Sequence, residues 1–596
     1  MNTLVTKDYI VFVIYFLLVS SYGYWIYTKK KKASVTASHD YFLAEGSLTW
    51  WAIGASLIAS NISAEQFIGM SGNGYFVGIA VAAYEWIAAI ALIIIAVWFI
   101  PIYLKNKIYT MPQFLKTRYN ETVSLIMAIF WLLLYVFVNL TSILYLGAVA
   151  ISGLIGPEYL HTVLVALAIF ALIITLGGMK VIGYTDVIQV AVLIIGGFAT
   201  IYFALTIVSE KFGLGKDALA GFKTLITQAP DHFHMILKKP TGATSQNDVN
   251  KYLILPGIAM YFAGQWIVNL NYWGCNQYIT QRALGADLQT ARKGILFAGF
   301  LKLLMPIIVM LPGIAAYVLH TNGHLPGLKG MDGAYSAILG FLPPGLKGLA
   351  IAALTAAIVA SLAGKLNSIG TIFTLDIYLK YFKKKRNHPD PVPASLVAGG
   401  GLPMPDGVNE GLPLVQNTIN DGEEKSMVWV GRMVALVAIV IAVIFEWQDF
   451  LGISGAGGFT FIQKYTGFIS PGVFAMFILG MFWKRTTGTA AVAGLLTGFA
   501  MAIFFNSFAV QILGHENFMY TAFKNNDGVY EIPFLINMGW AFVITMIVMI
   551  GISLRGPKVN PNAFELDKTM FKLKPSIVAM IATTLFILVA LYVKFW

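Results

Sequence analysis

Glu85 and Lys302 each stand alone in a long apolar run, where a charge is too costly to keep without a ligand or a partner. Glu85 reads as a carboxylate that binds a ligand or as a structural acceptor between helices. Lys302 reads as a ligand donor or as a cation neutralised by an acidic neighbour for packing. Amides and hydroxyls form a second group. Ser60, Asn61, Ser63, Glu65 and Gln66 lie together inside one apolar run, and Asn269, Asn271, Tyr272 and Trp273 close another. Amides both donate and accept, so these residues suit recognition of a small polar solute better than covalent chemistry. The cytoplasmic segments hold no metal-ligand cluster, nucleophile elbow or phosphate loop. The single cysteine, Cys275, excludes an internal disulfide and reads as a small buried apolar residue. Asp186, near the start of a run, can cap a helix N-terminus together with Thr185. Tyr272 and Trp273 read either as an interfacial aromatic belt or as part of a site beside Asn269.

The elements that must position these groups are membrane helices. Only 11% of the 596 residues are charged, and the apolar residues fall in runs of about 18 or more, each long enough to cross a bilayer. The expected fold class is therefore an all-α polytopic membrane protein with about 14 spans. The first run, near Ile10 to Tyr27, leads into Lys29 to Lys32 with no cleavage site, which predicts a retained helix. With an external N-terminus, about 25 basic residues fall on the cytoplasmic side against about 10 outside, so both termini are expected to be external. The same placement accounts for the net charge of +12 and argues against a nucleic-acid partner. The bilayer is the expected partner.

Five regions follow: residues 1–50, an extra N-terminal helix and loop; 51–207, a first repeat; 208–252, an external loop with a short surface helix around Asp217 to Thr227; 253–485, a second repeat containing a Pro- and Gly-rich cytoplasmic linker at 387–427; and 486–596, C-terminal helices. The polar groups interrupt the spans near 52–72 and 253–273. Backbone can leave a helix at membrane depth only where protein or a cavity satisfies it, so paired interruptions about five spans apart suggest a binding site between two inverted repeats. Hydrogen bonding between neighbouring helices is the other reading of those polar residues.

From Ser56 to Tyr75, SLIASNISAEQFIGMSGNGY, the chain resembles the solute:sodium symporter family in its sodium/glucose cotransporter branch, and most closely the branch's bacterial galactose carriers. The resemblance recurs in order at YEW (Tyr84–Trp86), FVNLTSILYLG (Phe137–Gly147), YTDVIQ (Tyr184–Gln189), YWGCNQYITQR (Tyr272–Arg282), the run Phe297–Tyr317, the run Ala356–Tyr378 and FIQKYTGFISPG (Phe461–Gly472). It implies a five-plus-five inverted-repeat core, with its first and sixth helices broken, flanked by extra helices. It also implies sodium held by the carbonyls of Ala59, Ile62 and Ala357 and the hydroxyl of Ser361, with Asp186 on the ion's exit path. Such oxygen ligands suit a hard, weakly held cation. The family usually has two adjacent hydroxyls here, whereas Ala360 precedes Ser361 in this chain. Water or another carbonyl could replace the missing oxygen and leave sodium more weakly bound; loss of sodium coupling, or another ion, are the other readings. Lys365, one turn beyond Ser361, should reach the inner vestibule, or its ammonium could replace or compete with the ion.

The resemblance places substrate contacts at Asn61, Gln66, Glu85, Asn269, Lys302 and Gln463, an inner gate at Tyr272, and outer gate residues at Met70, Tyr84 and Phe459. These groups suit a monosaccharide, whose hydroxyls meet amides and charges while its C–H face packs on an aromatic ring. Ala88 stands where the galactose carriers have a hydroxyl, which bears on the identity of the sugar. Glu65 reads as a structural polar contact in the broken helix. The expected activity is sodium-coupled import of a galactose- or glucose-like sugar by alternating access in the cell's inner membrane, and not an enzymatic reaction. A sodium-independent or proton-coupled carrier of sugar or of a polyol such as inositol, and a non-transporting membrane sensor, are the alternatives.

Overall fold

The computed structural model describes residues 4–31, 49–108, 111–175, 179–284, 286–328, 330–382, 421–453 and 458–596. Apolar side chains facing lipid or each other, and backbone polar groups satisfied within each helix, give a helical bundle. In chain order its main helices are α1 (Thr6–Lys31), α2 (Trp50–Asn61), α3 (Ser71–Phe76), α4 (Ile79–Lys105), α5 (Glu121–Ile155), α6 (Pro157–Thr175), α7 (Met179–Lys211), α8 (Gly264–Gly274) and α9 (Gln277–Leu284). Then follow α10 (Leu288–Thr321), α11 (Leu346–Phe382), α12 (Asp421–Trp447), α13 (Gly458–Thr466), α14 (Ser470–Phe482), α15 (Gly488–Ser507), α16 (Phe534–Leu554) and α17 (Pro575–Phe595).

Ten of these are long and apolar enough to cross a membrane, and two bent pairs bring the number to 12 among the described residues. The bent pairs lie over the spans expected near 253–273 and 450–482, and α1 and the broken α2–α3 occupy the positions of the first two expected spans. Burial separates core from periphery: the apolar windows of α4 and α11 are 78% and 83% buried, against 17% for α17, which leaves α17 facing lipid. Helix α10 is one central post, packed against α2, α3, α4 and α7; α11 is the other, packed against α1, α6, α7 and α12. Glycine lets the broken span lie tight on α10. A Cβ at Gly313 would sit 2.0 Å from the Ser71 carbonyl oxygen, and one at Gly294 would meet the Ile53 side chain at 2.7 Å.

The short helix expected around Asp217 to Thr227 is present at Ala218–Gln228, started by Asp217, whose carboxylate accepts from the backbone of Leu219 and Ala220. Two details depart from expectation. The linker expected at 387–427 lies outside the described residues as far as 420, but from Asp421 the chain is already helical. A two-stranded hairpin, Phe523–Lys524 paired with Tyr530–Glu531, also interrupts the all-helical plan. Its turn closes through Asn525, which exchanges bonds with Val529, and through Gly528 at φ 75°.

Candidate substrate and ion site

The span at 50–76 breaks for a local reason. Ile62 adopts an extended conformation, and Ser63 with Gln66 forms a reciprocal cap: Ser63 Oγ accepts from the Glu65 N–H at 3.2 Å, and Gln66 Oε1 accepts from the Ser63 N–H at 3.2 Å. The helix restarts as a wider π turn, Glu65–Met70, before α3. This cap redirects two N–H groups. Ser63 would otherwise bond back to the Ala59 carbonyl, and Gln66, which bonds the Ser63 carbonyl at 3.2 Å, would otherwise bond Ile62. The carbonyls of Ala59 and Ile62 are thereby released from the helical ladder at the break.

Three helices converge beside it. From α10, the Lys302 ammonium donates both to Asn61 Oδ1 at the end of α2 and to Glu85 Oε2 in α4. All three side chains are buried. A fourth element joins from α8: Asn61 Nδ2 donates to the Tyr272 hydroxyl at 3.3 Å, and the Trp273 ring faces Lys302 Nζ at 5.1 Å. The two intramembrane charges that stood out in the sequence are thus each other's partners, and the pair is open at its edge to amide and aromatic groups. On the other side of the break, Tyr84 and Phe459 meet edge to face at 5.1 Å, and Phe459 packs against the backbone at Gly69. Met70, Tyr84 and Phe459 are all buried, whereas Tyr272 is half-buried.

Other expected residues have different partners. Gln66 is engaged in the cap, Asn269 donates to the Gln265 carbonyl one turn back at 3.0 Å, and Gln463 is half-buried on α13. None of these three bonds directly to the Lys302 cluster among the described residues. On α11, Ala357 and Ser361 are buried, and the Ser361 hydroxyl has no hydrogen-bond partner among the described residues. Asp186 falls within α7, and its side chain lies outside the described residues.

Two expectations require correction. Lys365 does not reach towards an inner vestibule: it is 4% exposed, and its ammonium lies 3.3 Å from Glu65 Oε1 on the π turn. A carboxylate within reach at the same depth satisfies the charge better than extension of the stem. The polar run from Asn269 to Trp273 is itself regular helix; the span bends by 81° at Ala263 ahead of it, and Cys275 and Asn276 are unwound after it. Asn276 was not singled out from the sequence. Its Oδ1 accepts from the Tyr135 hydroxyl at 2.5 Å, and its carbonyl accepts from Ile279 and Thr280, starting α9. An amide two residues after a glycine that ends an apolar run was the available signal. Arg282 of α9 was likewise missed as a tie to α2, donating to the Ser56 hydroxyl.

The profile described as Sodium:solute symporter family matches residues 41–393 and 415–498. A sodium/glucose cotransporter of Vibrio parahaemolyticus is 39% identical over 99% of this chain and 98% of its own length. The chain belongs to the sodium:solute symporter family. It is accordingly a multi-pass membrane carrier with sodium as its coupling ion. A sodium/myo-inositol cotransporter 2 of Mus musculus is 31% identical, covering 83% of this chain and 69% of the mouse protein. A Na+-coupled sialic acid symporter, solved in a substrate-bound outward-open state, has the same fold: TM-score 0.69 at 20% identity, covering 93% of this chain and 99% of that one.

Proposed function

We propose that this symporter imports a monosaccharide, galactose- or glucose-like, across the cell's inner membrane together with sodium. The observation that carries the reading is the convergence of Asn61, Glu85 and Lys302 from three helices beside the broken span. A carboxylate, an ammonium and an amide in one buried place offer acceptors and donors at the spacing of neighbouring sugar hydroxyls, and a sugar would exchange for their mutual bonds. The full-length likeness to a sodium/glucose cotransporter supports the same substrate class. Gln66, Asn269 and Gln463 complete the proposed contacts as the site reorganises, with Tyr272 as inner gate and Met70, Tyr84 and Phe459 as the outer one. The burial of those three outer residues corresponds to a site closed on that side.

Sodium is assigned to the released carbonyls of Ala59 and Ile62 together with the Ala357 carbonyl and the Ser361 hydroxyl, with Asp186 on its way out. The freed carbonyls and the unpartnered buried hydroxyl are the oxygen donors that a weakly bound hard cation needs. Bound there, it favours the arrangement with high sugar affinity, so coupling is a difference in affinity between two states. The five-plus-five repeat and external termini complete the proposal. The myo-inositol relative supports a second reading with the same machinery and a polyol as cargo.

Uptake of labelled galactose, glucose and myo-inositol into proteoliposomes, with and without an inward sodium gradient, decides between these cargoes. Glu85→Ala and Gln463→Ala are expected to abolish uptake, and unchanged uptake in both would refute the site. Ser361→Ala should remove the response to sodium; equal uptake with choline outside wild-type protein would refute coupling through this ion.

A further inference from the structure

Of the lysines buried in this bundle, the proposed function uses Lys302 and leaves Lys365, deep in α11, without a role. Lys365 sits in α11 one turn after Ser361, close enough along one helix face for their Cβ atoms to lie about 6 Å apart. Its ammonium is 3.3 Å from Glu65 Oε1, and Glu65 belongs to the π turn that follows the break carrying the freed Ala59 and Ile62 carbonyls. The pair therefore bridges the same two elements, broken span and α11, between which the cation is assigned. Lys365 and Glu65 are 4% and 9% exposed, so water screens them little.

We infer that Glu65 and Lys365 set the cation affinity of this carrier: the ammonium is a resident positive charge beside the ion site, and its pairing with Glu65 keeps a carboxylate from acting on the incoming ion. This rests on the assignment of sodium to the Ser361 region. With both residues present their charges cancel locally, and the site attracts a cation only through neutral oxygens. Removing the lysine leaves a net negative charge next to the site and strengthens cation binding. Removing the carboxylate leaves a net positive charge and weakens it. An ion pair that merely fastened two helices would respond differently, because either single change would loosen the same junction and shift binding in the same direction.

The test is direct binding of radioactive sodium to purified full-length protein, alongside the half-saturating sodium concentration for sugar uptake. Lys365→Met should tighten sodium binding by about tenfold and Glu65→Gln should weaken it by a comparable factor, as expected for one unit charge about 6 Å or more away in a site of intermediate effective dielectric. The double variant should return close to wild type. Lys365→Arg, which keeps the charge, should leave affinity near wild type and guards against a packing effect. Shifts of the same sign in the two single variants, or no shift in either, would overturn the inference. If Ser361→Ala leaves sodium binding intact while the two single variants still shift it in opposite directions, the pair governs a cation site elsewhere. In that case it is the ion assignment under the proposed function that fails.

Discussion

Two lysine–glutamate pairs lie buried among the described residues, and they are built differently. Lys302 is held by Glu85, by Asn61 and by the face of Trp273, and through Asn61 it reaches Tyr272, so four helices meet at one ammonium. Lys365 meets Glu65 at 3.3 Å and ties one helix to one turn. A charge shared among several neutral polar groups can pass its partners to a ligand and retrieve them, because each bond lost leaves others in place. The Glu65–Lys365 contact joins two charges beside the assigned ion site and acts chiefly through its charge. The difference separates a site built to exchange hydrogen bonds with cargo from one suited to biasing a nearby ion.

Removing the lysine of the richer pair should have the largest effect. Lys302→Met leaves Glu85 buried and unpartnered, which costs about 3–5 kcal/mol and should lower the thermal midpoint of the purified protein markedly. Uptake should fall by about 100-fold or more, as expected for loss of a buried charged contact to cargo. Adding Glu85→Gln to it should restore much of the stability but not the uptake. Recovery of both in the double variant would make the pair a packing device and remove the contrast with Lys365.

A double-mutant cycle then compares the pairs on one scale. The coupling between Lys302 and Glu85 in thermal stability should exceed that between Lys365 and Glu65, with the second about 1–2 kcal/mol, since close pairs in one network couple by about 0.5–3 kcal/mol. Equal coupling energies would show that the additional partners of Lys302 contribute nothing to its hold.

Both pairs bear on what could be read from the sequence. That Glu85 and Lys302 needed partners followed from their isolation in apolar runs, and hydropathy with charge placement gave the order of the spans. That Lys302 and Glu85 meet each other depends on α4 and α10 being neighbours, a long-range contact that no local pattern encodes. For Lys365 the inference from one helix face was sound as far as Ser361. It failed at the partner, because Glu65 comes into reach only once Ser63 and Gln66 have capped the restart of the broken helix. The cap was not singled out from the sequence, and it engages Gln66, expected as a substrate contact, in a structural bond. The second span is interrupted on either side of the expected polar cluster, at Ala263 and at Cys275–Asn276, because amides at helical spacing sit within a helix as readily as at its end.

Asp332 supplies the control for both pairs, being a carboxylate buried to a similar degree but with no lysine at hand. It lies in the short turn Met331–Gly333, and its Oδ2 accepts from the backbone N–H of Gly458 at 3.0 Å, next to Phe459, while Oδ1 has no partner among the described residues and faces Gly72 of α3. Burial pushes its carboxyl up to about 6 from an ordinary 3.8, and the Gly458 bond only partly offsets this. Because the folded value is the higher one, the folded protein binds the proton more tightly than the unfolded chain. Its contribution to stability is then fully present below about pH 4 and is lost as pH rises through about 6, amounting to about 2 kcal/mol over that window. The thermal midpoint of wild-type protein should accordingly carry a downward component between pH 4 and 7 that Asp332→Asn removes, since the amide stays neutral and still accepts from Gly458. The same protonation should favour closure on the Phe459 side, measured as slower labelling of Thr460→Cys in a Cys275→Ala background at pH 5 than at pH 7. A wild-type slope identical to that of Asp332→Asn would mean that Gly458 alone compensates the buried charge, and that a carboxylate here needs a lysine no more than a backbone amide.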